Sequence, residues 1–210
     1  MKRSAQIRRN TKEVKISGKL LLDGSGRSSV STEIRFLDHM LELFAKHGLF
    51  DLTLRARGDL DVDLHHTNED IGLALGEAFK KALGEKKGIH RMGSAFVPMD
   101  ETLARVRSIV DISGRPHFSL GWSAGTSKNL FRRGWGRAVA RLAYDLDDAR
   151  HFLESFSNRG EVTLHIDVLK SGEDIHHLLE AVFKAWGRSL RQAVERDPRV
   201  KGVPSTKGRL

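Results

Sequence analysis

The sequence predicts an α/β (α+β) fold of two similar halves, related by a pseudo-twofold axis, with helices packed on one face of mixed sheets. Two observations predict this fold. Strand-like and helix-like hydrophobic patterns follow one another in the same order twice along the chain. A His-His-x-x-Glu pattern also occurs twice, at 65–69 and 176–180, each time opening a long helical pattern. We therefore expect a single domain over 1–210, with internal repeats at about 12–92 and 93–196 and a tail at 197–210.

In the first half, alternating apolar residues predict strands, and a repeat of about 3.6 residues predicts helices. The short helix ends at Gly48 as its C-cap, and the long helix begins with Thr67 and Asn68 as caps. The sequence LLDGSG after the first strand predicts a hairpin turn. The predicted strands are 13–24, 29–36 and 49–58, and the predicted helices are 36–48 and Thr67 to about Leu83.

The second half follows the same course, and its histidines keep the same register. His39 precedes His65 by 26 residues, and His151 precedes His176 by 25. Each half therefore has a histidine on a short helix, then a strand, then the repeated motif. The predicted strands are 102–114, 116–122 and 160–170, and the predicted helices are 147–157 and Asp174 to about Val194.

Composition limits the possible functions. The 210 residues include no cysteine, so a metal ion would be held by histidine and carboxylate. The basic N-terminus lacks the apolar segment of a secretory signal, and no apolar run reaches the ~20 residues that span a bilayer, so we expect a cytoplasmic protein without membrane contact. The formal charge of +9 suits either nucleic acid or a small phosphorylated substrate.

The repeated histidines predict two metal sites. A histidine and a glutamate four residues apart share a helix face, whereas the adjacent histidine points elsewhere and would reach a second ion. Such a motif alone is more often a helix cap than a metal site, but two copies in matching contexts favour metal binding. Three imidazoles and one carboxylate suit Mn, Fe or Zn. The expected sites are His39, His66, His176 and Glu180, and His65, Glu69, His151 and His177.

Several motifs together resemble those of the imidazoleglycerol-phosphate dehydratase family of histidine biosynthesis. They are FLDHMLELFAKHG, HHTNEDIGLALGEA, PMDE, SGRP, HHLLEAVFKA and PSTKG, and the resemblance extends from residue 11 to the C-terminus.

The resemblance implies a ribosomal-protein-S5-domain-2-like fold and a lyase that converts imidazole-glycerol phosphate to imidazole-acetol phosphate with two Mn²⁺ ions. It also implies a 24-subunit homo-oligomer built from trimers, with active sites between subunits and no nucleic-acid partner. The metal ligands it implies are the eight residues above. The implied substrate contacts are Glu13, His39, His47, Arg91, Arg115, Ser205, Thr206 and Lys207.

This reaction needs a site with metal ions, because the hydrogen that is removed is not acidic and no carbonyl is available to stabilise a carbanion. The substrate's imidazole ring is the only electron reservoir, and metal ions on its nitrogens would help it expel the hydroxyl. A general base must then take the carbon-bound proton. We expect Glu13 in that role, with His47 as the second candidate because it lies about two helical turns after His39.

Three features depart from the family pattern. Leu64 replaces a polar or small residue beside His65, and the spacing before Arg115 is about two residues longer. The segment 123–148 is also longer, and its leucines and arginines predict an additional basic amphipathic helix.

Two other functions compete with the dehydratase. A two-metal hydrolase of phosphate esters would use paired ions and basic residues too, but such sites are usually richer in bridging carboxylates. A nucleic-acid-binding module would explain the positive charge, but it would leave the repeated motif unexplained.

Overall fold

The structure, a computed structural model, describes residues 2–99, 102–122, 144–172 and 174–210. Within these ranges, each half follows the order β-β-β-α-β-α. The first half contains β1 (Ser4–Asn10), β2 (Val14–Leu21), β3 (Ser28–Ser31), α1 (Arg35–Gly48), β4 (Asp51–Gly58) and α2 (Leu64–Leu83). The second contains β5 (Met92–Met99), β6 (Thr102–Asp111), β7 (His117–Trp122), α3 (Leu146–Gly160), β8 (Thr163–Lys170) and α4 (Ile175–Val194).

The two halves build the same four-stranded sheet. The strand orders are β1-β2-β4-β3 and β5-β6-β8-β7, and in each sheet one parallel pair follows two antiparallel pairs. Along β4 and β8 alternate side chains are buried, because one face of each sheet packs against the helices. The predicted duplication, the mixed sheets and the one-sided helix layer are thus confirmed.

The helix layer joins the halves by pairing each short helix with the long helix of the other half. α1 packs on α4, and α2 packs on α3. Both pairs are parallel, since residue numbers increase together along each contact, as from Gly72 beside Phe152 to Gly76 beside Phe156. Trp186 of α4 stacks on Phe44 of α1 with ring centroids 3.9 Å apart, which anchors the shared core.

Glycines allow the paired helices to approach closely. A Cβ atom on Gly76 would lie 2.5 Å from the carbonyl oxygen of Phe156, and one on Gly187 would lie 2.6 Å from that of Phe44. These distances are shorter than van der Waals contact. The backbones of each pair therefore touch, and side chains on facing turns come within hydrogen-bonding reach.

Several local predictions were wrong. The strands β1 and β5 were not predicted. The sequence LLDGSG does not form a hairpin turn, because β2 and β3 lie on opposite sides of β4. The carboxylate of Asp51, at the start of β4, accepts hydrogen bonds from the backbone of Ser25 and Arg27 and holds this crossing loop. The predicted strand at 29–36 stops at residue 31, where the chain turns into α1.

The predicted helix caps were also wrong in the first half. Leu49, in the left-handed region with φ of 54°, caps α1, so Gly48 is the last helical residue. α2 begins a turn earlier than expected, with Asp63 as its N-cap, and Thr67 and Asn68 are fully buried inside it. In the second half, the helix predicted from Asp174 to about Val194 runs from Ile175 to Val194, with Asp174 as its N-cap. The additional helix predicted in 123–148 falls mostly on 123–143, outside the described residues.

No helix in the described ranges is both long enough and apolar enough to cross a membrane.

Lys86 gives a prediction about stability. It is 8 % exposed, its ammonium makes no hydrogen bond with residues the structure describes, and burial lowers the pKa of that ammonium. We expect Lys86→Met to raise the melting temperature by about 2–4 °C, the effect of roughly 1 kcal/mol in a chain of this size. The wild-type protein should also gain stability as the pH rises towards 10.5, because the folded state releases this proton before the unfolded state does.

Thermal melts between pH 7 and 11 measure both effects. Lys87→Met is the matched control, since Lys87 is solvent-exposed and pairs with Glu85 at 2.6 Å. An equal change in both variants would contradict the burial argument.

Candidate active site

Two histidine-carboxylate clusters lie at the N-terminal ends of the two parallel helix pairs. Aspartate caps fix where the long helices start: Asp63 accepts a hydrogen bond from the backbone N–H of His65, and Asp174 accepts one from that of His176. The motif histidines therefore occupy the first turn of α2 and of α4. His176 then faces His39 on α1, and His65 faces His151 on α3.

The first cluster consists of His39, His176 and Glu180. The Nε2 atoms of His39 and His176 lie 2.8 Å and 3.2 Å from Oε1 of Glu180. One ligand atom from each residue can be chosen so that all three lie within 4.8 Å of one another. Two imidazole nitrogens and a carboxylate oxygen that converge at this spacing fit a divalent ion of the Mn, Fe or Zn type.

Glu180 is anionic at neutral pH. Burial alone would raise its pKa, but hydrogen bonds from Lys184 and His39, the charge of Lys184 and a further hydrogen bond from His176 lower the pKa to about 2. The ammonium of Lys184 lies 2.8 Å from Oε2 of Glu180. The cluster thus holds a permanent negative charge beside two imidazoles, as a cation site requires.

The second cluster consists of His65, Glu69 and His151. The Nδ1 atoms of His65 and His151 are 3.1 Å apart, whereas Nε2 of His65 lies 3.7 Å from Glu69. Because His65 uses a different nitrogen towards each neighbour, the three do not converge as closely as the first cluster does. The guanidinium of Arg150 makes a short contact with Nε2 of His151.

His66 and His177 do not join either cluster within one chain. Nδ1 of His66 lies 3.2 Å from Asp59, and this hydrogen bond is the main reason why the pKa of His66 is raised. Nδ1 of His177 is buried, with no hydrogen-bond partner in the described part of the chain. Each cluster therefore holds three of the four residues expected for its site.

The two expected proton-transfer residues lie in different places. Glu13 is exposed on the turn between β1 and β2, close enough to His66 for its charge to contribute to the raised pKa of that histidine. His47 lies in the last turn of α1, about 12 Å along the helix from His39. The charges of Lys184 and Arg188 act on it, so it faces the side of α4 that carries Glu180.

His47 should be neutral at pH 7, because burial and the neighbouring charges of Lys184 and Arg188 lower its pKa below 6.5. Between pH 6.5 and that lower value the unfolded chain binds the proton first, so this residue makes stability fall as the pH falls. An NMR titration of the Cε1–H signals, with His47→Gln to assign the resonance, measures the midpoint. A midpoint at or above 6.5 would contradict this electrostatic environment.

The expected phosphate contacts lie at the opposite end of the helix layer. Arg91 donates two hydrogen bonds to Asp111 and one to the carbonyl of Pro204, so its guanidinium holds the tail in place. The backbone N–H of Arg91 bonds to Ala193 near the end of α4, which is about 25 Å from His176 along the helix. Within one chain, Arg91 therefore lies far from the first cluster.

The C-terminal tail is anchored rather than frayed. Gly88 bonds to the backbone of Gly202 and of Asp197, and a Cβ on Gly114 would lie 2.6 Å from the carbonyl carbon of Leu210. Since Gly114 precedes the exposed Arg115, the tail also runs to the SGRP turn. Ser205, Thr206 and Lys207 lie between these anchors, and Thr206 and Lys207 are exposed.

Sequence reasoning missed Lys184, Asp59 and Arg150. Lys184 could have been found, since it lies four residues after Glu180 on the same helix face. Arg150 is next to His151 in sequence, but nothing in the sequence shows that its side chain turns back on the ring. Asp59 reaches His66 through loop geometry that carries no sequence signal.

Comparison with known proteins identifies the family. Residues 32–190 match the imidazoleglycerol-phosphate dehydratase family. A protein of that name from Trichlorobacter lovleyi is 51 % identical over 210 residues, with both chains fully covered, and one from Aromatoleum aromaticum is 48 % identical over 212 residues, covering 99 % of this chain and 100 % of that protein.

Two solved structures agree with this match. The dehydratase from Staphylococcus aureus has 32 % identity and a TM-score of 0.72, covering 92 % of this chain and 99 % of its own. The Pyrococcus furiosus enzyme, solved in complex with (S)-C348, has 34 % identity and a TM-score of 0.75, covering 97 % of this chain and 99 % of its own. The chain therefore belongs to the imidazoleglycerol-phosphate dehydratase family, whose members are hydro-lyases of histidine biosynthesis.

Proposed function

We propose that this enzyme converts imidazole-glycerol phosphate to imidazole-acetol phosphate and water with two divalent ions, manganese being the expected metal. The observation that carries the proposal is the convergence of His39, His176 and Glu180 around one point, with the related residues of the other half in the equivalent place. Family membership favours this reaction over phosphate-ester hydrolysis and over nucleic-acid binding.

The metal ligands on this proposal are His39, His176, Glu180 and His66 in one site, and His65, Glu69, His151 and His177 in the other. The ions would supply Lewis acidity to the substrate's imidazole ring and hold it in place. The anionic Glu180 offsets the positive charge of one ion. The hydrogen bond that Nδ1–H of His66 donates to Asp59 orients that ring and leaves Nε2 as the nitrogen available to a metal ion.

Glu13 is the proposed general base. The reaction breaks a C–H bond and a C–O bond on neighbouring carbons, and the enol that results becomes the ketone product. Glu13 is exposed and lies near His66, so the proposed base and one of the proposed metal ligands lie on the same side of the site. His47 and Lys184 are placed to bind or protonate the substrate on the α4 side of the first cluster.

We propose that each complete site forms between subunits. Three observations support this: His66 and His177 stand apart from the clusters, the phosphate-binding group lies about 25 Å from the first cluster, and the second sheet has an exposed apolar outer face. On that face Met92 is 57 % exposed, Phe96 55 % and Ile109 38 %, which indicates a contact surface. The proposed assembly is a homo-oligomer, with 24 subunits as the expected number.

The reaction is tested by turnover of imidazole-glycerol phosphate with chelator-stripped protein, before and after Mn²⁺ is added. Recovery of activity at two ions per chain supports the proposal. Full loading without turnover would contradict the reaction, and no uptake would contradict the metal sites.

The shared site is tested by mixing two inactive variants, His66→Ala and Glu180→Gln. If a site takes His66 from one subunit and Glu180 from another, co-assembled variants restore about a quarter of the sites, because one random pairing in four is intact. Mixed oligomers that stay inactive would contradict the sharing of these two ligands.

Lys207→Ala should weaken phosphate binding and raise KM by roughly tenfold, with little change in kcat, because the side chain would contact a part of the substrate that does not react. Steady-state kinetics measure this. Arg209→Ala is the control, since it removes a neighbouring positive charge from the same tail. An equal rise in KM for both variants would indicate general electrostatic attraction instead of a specific contact.

A further inference from the structure

We propose that Asn68 and Tyr144 are positioning residues for the second metal site, the one that contains His65 and His151. They form a buried chain of hydrogen bonds that sets the separation of the two histidines. This inference rests on the proposed function, because it concerns how well the second ion is held.

The chain of bonds is complete and lies inside the protein. The hydroxyl of Tyr144 donates to Oδ1 of Asn68 at 3.0 Å, and Nδ2 of Asn68 donates to the carbonyl of Asp148 at 2.8 Å. Tyr144 is 2 % exposed and Asn68 is fully buried. Both ends of the amide are therefore satisfied, and water cannot replace either bond.

The bonds tie together the two helix turns that carry the metal ligands. Asn68 lies three residues after His65 and directly before Glu69 on α2. Asp148 lies three residues before His151 on the first turn of α3. A hydrogen bond from one turn to the backbone of the other fixes the distance between the two helices at this end of the pair. It also fixes their relative position along the helix axis.

The first site lacks this device, although the halves are otherwise equivalent. Leu179 occupies the place of Asn68 on α4, and Thr32 occupies the place of Tyr144 before α1. Leu179 is fully buried and apolar, and the hydroxyl of Thr32 bonds to Asp38 within its own half. Loss of the hydrogen-bond chain should therefore affect the second ion and spare the first.

Two variants break these hydrogen bonds with little change in the shape of the side chain. Tyr144→Phe deletes only the hydroxyl and keeps the ring that lies 5.4 Å from Phe36. Asn68→Leu keeps a γ-branched side chain and copies the residue of the other half. Ser157→Ala is the control, because it deletes another fully buried hydrogen bond on α3, from the Ser157 hydroxyl to Leu153, further from the histidines.

The measurement is the number of bound ions per chain of the assembled protein, after equilibrium dialysis against a series of free Mn²⁺ concentrations. We expect two ions for the wild type and for Ser157→Ala. Tyr144→Phe and Asn68→Leu should keep one ion at unchanged affinity and bind the other at least about tenfold more weakly. In a Glu180→Gln background, which impairs the first site, Tyr144→Phe should weaken the remaining ion.

The outcomes separate this inference from the proposed function. If the wild-type protein binds fewer than two ions, the proposed function fails. If the wild type binds two and Tyr144→Phe binds both as tightly, or loses both equally, the positioning role is overturned. If Asn68→Leu does not assemble, Tyr144→Phe alone decides.

Discussion

Replacing Glu180 with Gln is expected to remove one ion per chain and to lower turnover at least about a hundredfold. The carboxylate accepts hydrogen bonds from His39, His176 and Lys184, and these interactions hold its pKa near 2 despite burial. A neutral amide cannot offset the charge of the ion. It would also leave the ammonium of Lys184, 14 % exposed, without its anion.

The same variant should lose stability, by roughly 1–3 kcal/mol. In the wild type the lowered pKa of Glu180 contributes stability that is fully present above pH 4.5 and is lost as the pH falls towards 2. This contribution should be missing in Glu180→Gln, so the stability of the variant should fall less steeply below pH 4.5 than that of the wild type.

Metal content by mass spectrometry, kinetics and melts from pH 2 to 7 check these expectations. Glu77→Gln is the matched control, because Glu77 also pairs with a lysine four residues later, at 2.7 Å, but on the protein surface. Unchanged metal content in Glu180→Gln would remove this residue from the site.

Gly76→Ala is expected to separate α2 from α3 and to weaken the second metal site without touching any ligand. The added Cβ would lie 2.5 Å from the carbonyl oxygen of Phe156 and 2.9 Å from the backbone nitrogen of Gly160. Both atoms belong to the backbone of α3, so neither can move unless the helix moves. Alanine gains about 1 kcal/mol of helix propensity over glycine, but overpacking against backbone costs roughly 1–3 kcal/mol, so the net effect should be destabilising.

Thermal melts and metal counting test this variant together. Gly202→Ala is the control, since nothing lies within 4 Å of the position of its Cβ. We expect Gly202→Ala to melt like the wild type with two ions, and Gly76→Ala to melt lower and hold its second ion more weakly. A Gly76→Ala protein with unchanged melting temperature and metal content would show that the helix pair tolerates a wider spacing.

Much of the fold could be predicted from the sequence because the same order of strand and helix patterns occurs twice along the chain. Periodicity located α1 and β4, and the repeated His-His-x-x-Glu motif identified α2 and α4 as equivalent helices of the two halves. The edge strands β1 and β5 were missed because basic and small residues interrupt their alternation, as in SAQIRRN. The position of β3 was predicted wrongly because a glycine-rich loop usually indicates a hairpin. Here hydrogen bonds to Asp51 hold the loop across the start of β4 instead.

The site was predictable in its components and less so in its geometry. Spacing on one helix shows that His176 and Glu180 share a face, but it cannot show that α1 of the first half will meet α4 of the second. Likewise the arginine at 91 carried the right charge for phosphate, yet only the fold shows that Asp111 and Pro204 take up its guanidinium. Contacts between residues far apart in sequence depend on helix pairing, which local patterns do not encode.

The exchange of helices between the halves bears on how such a chain could have arisen. Neither half contains a complete cluster, since each combines the short helix of one half with the long helix of the other. An ancestor of half the length would have had to dimerise to build any site, and its two sites would have been identical by symmetry. Fusion into one polypeptide would have released that constraint, so that a single substitution alters one site and leaves its twin unchanged. Asn68 and Leu179 occupy equivalent positions of the two halves and differ in the way that such a release would allow.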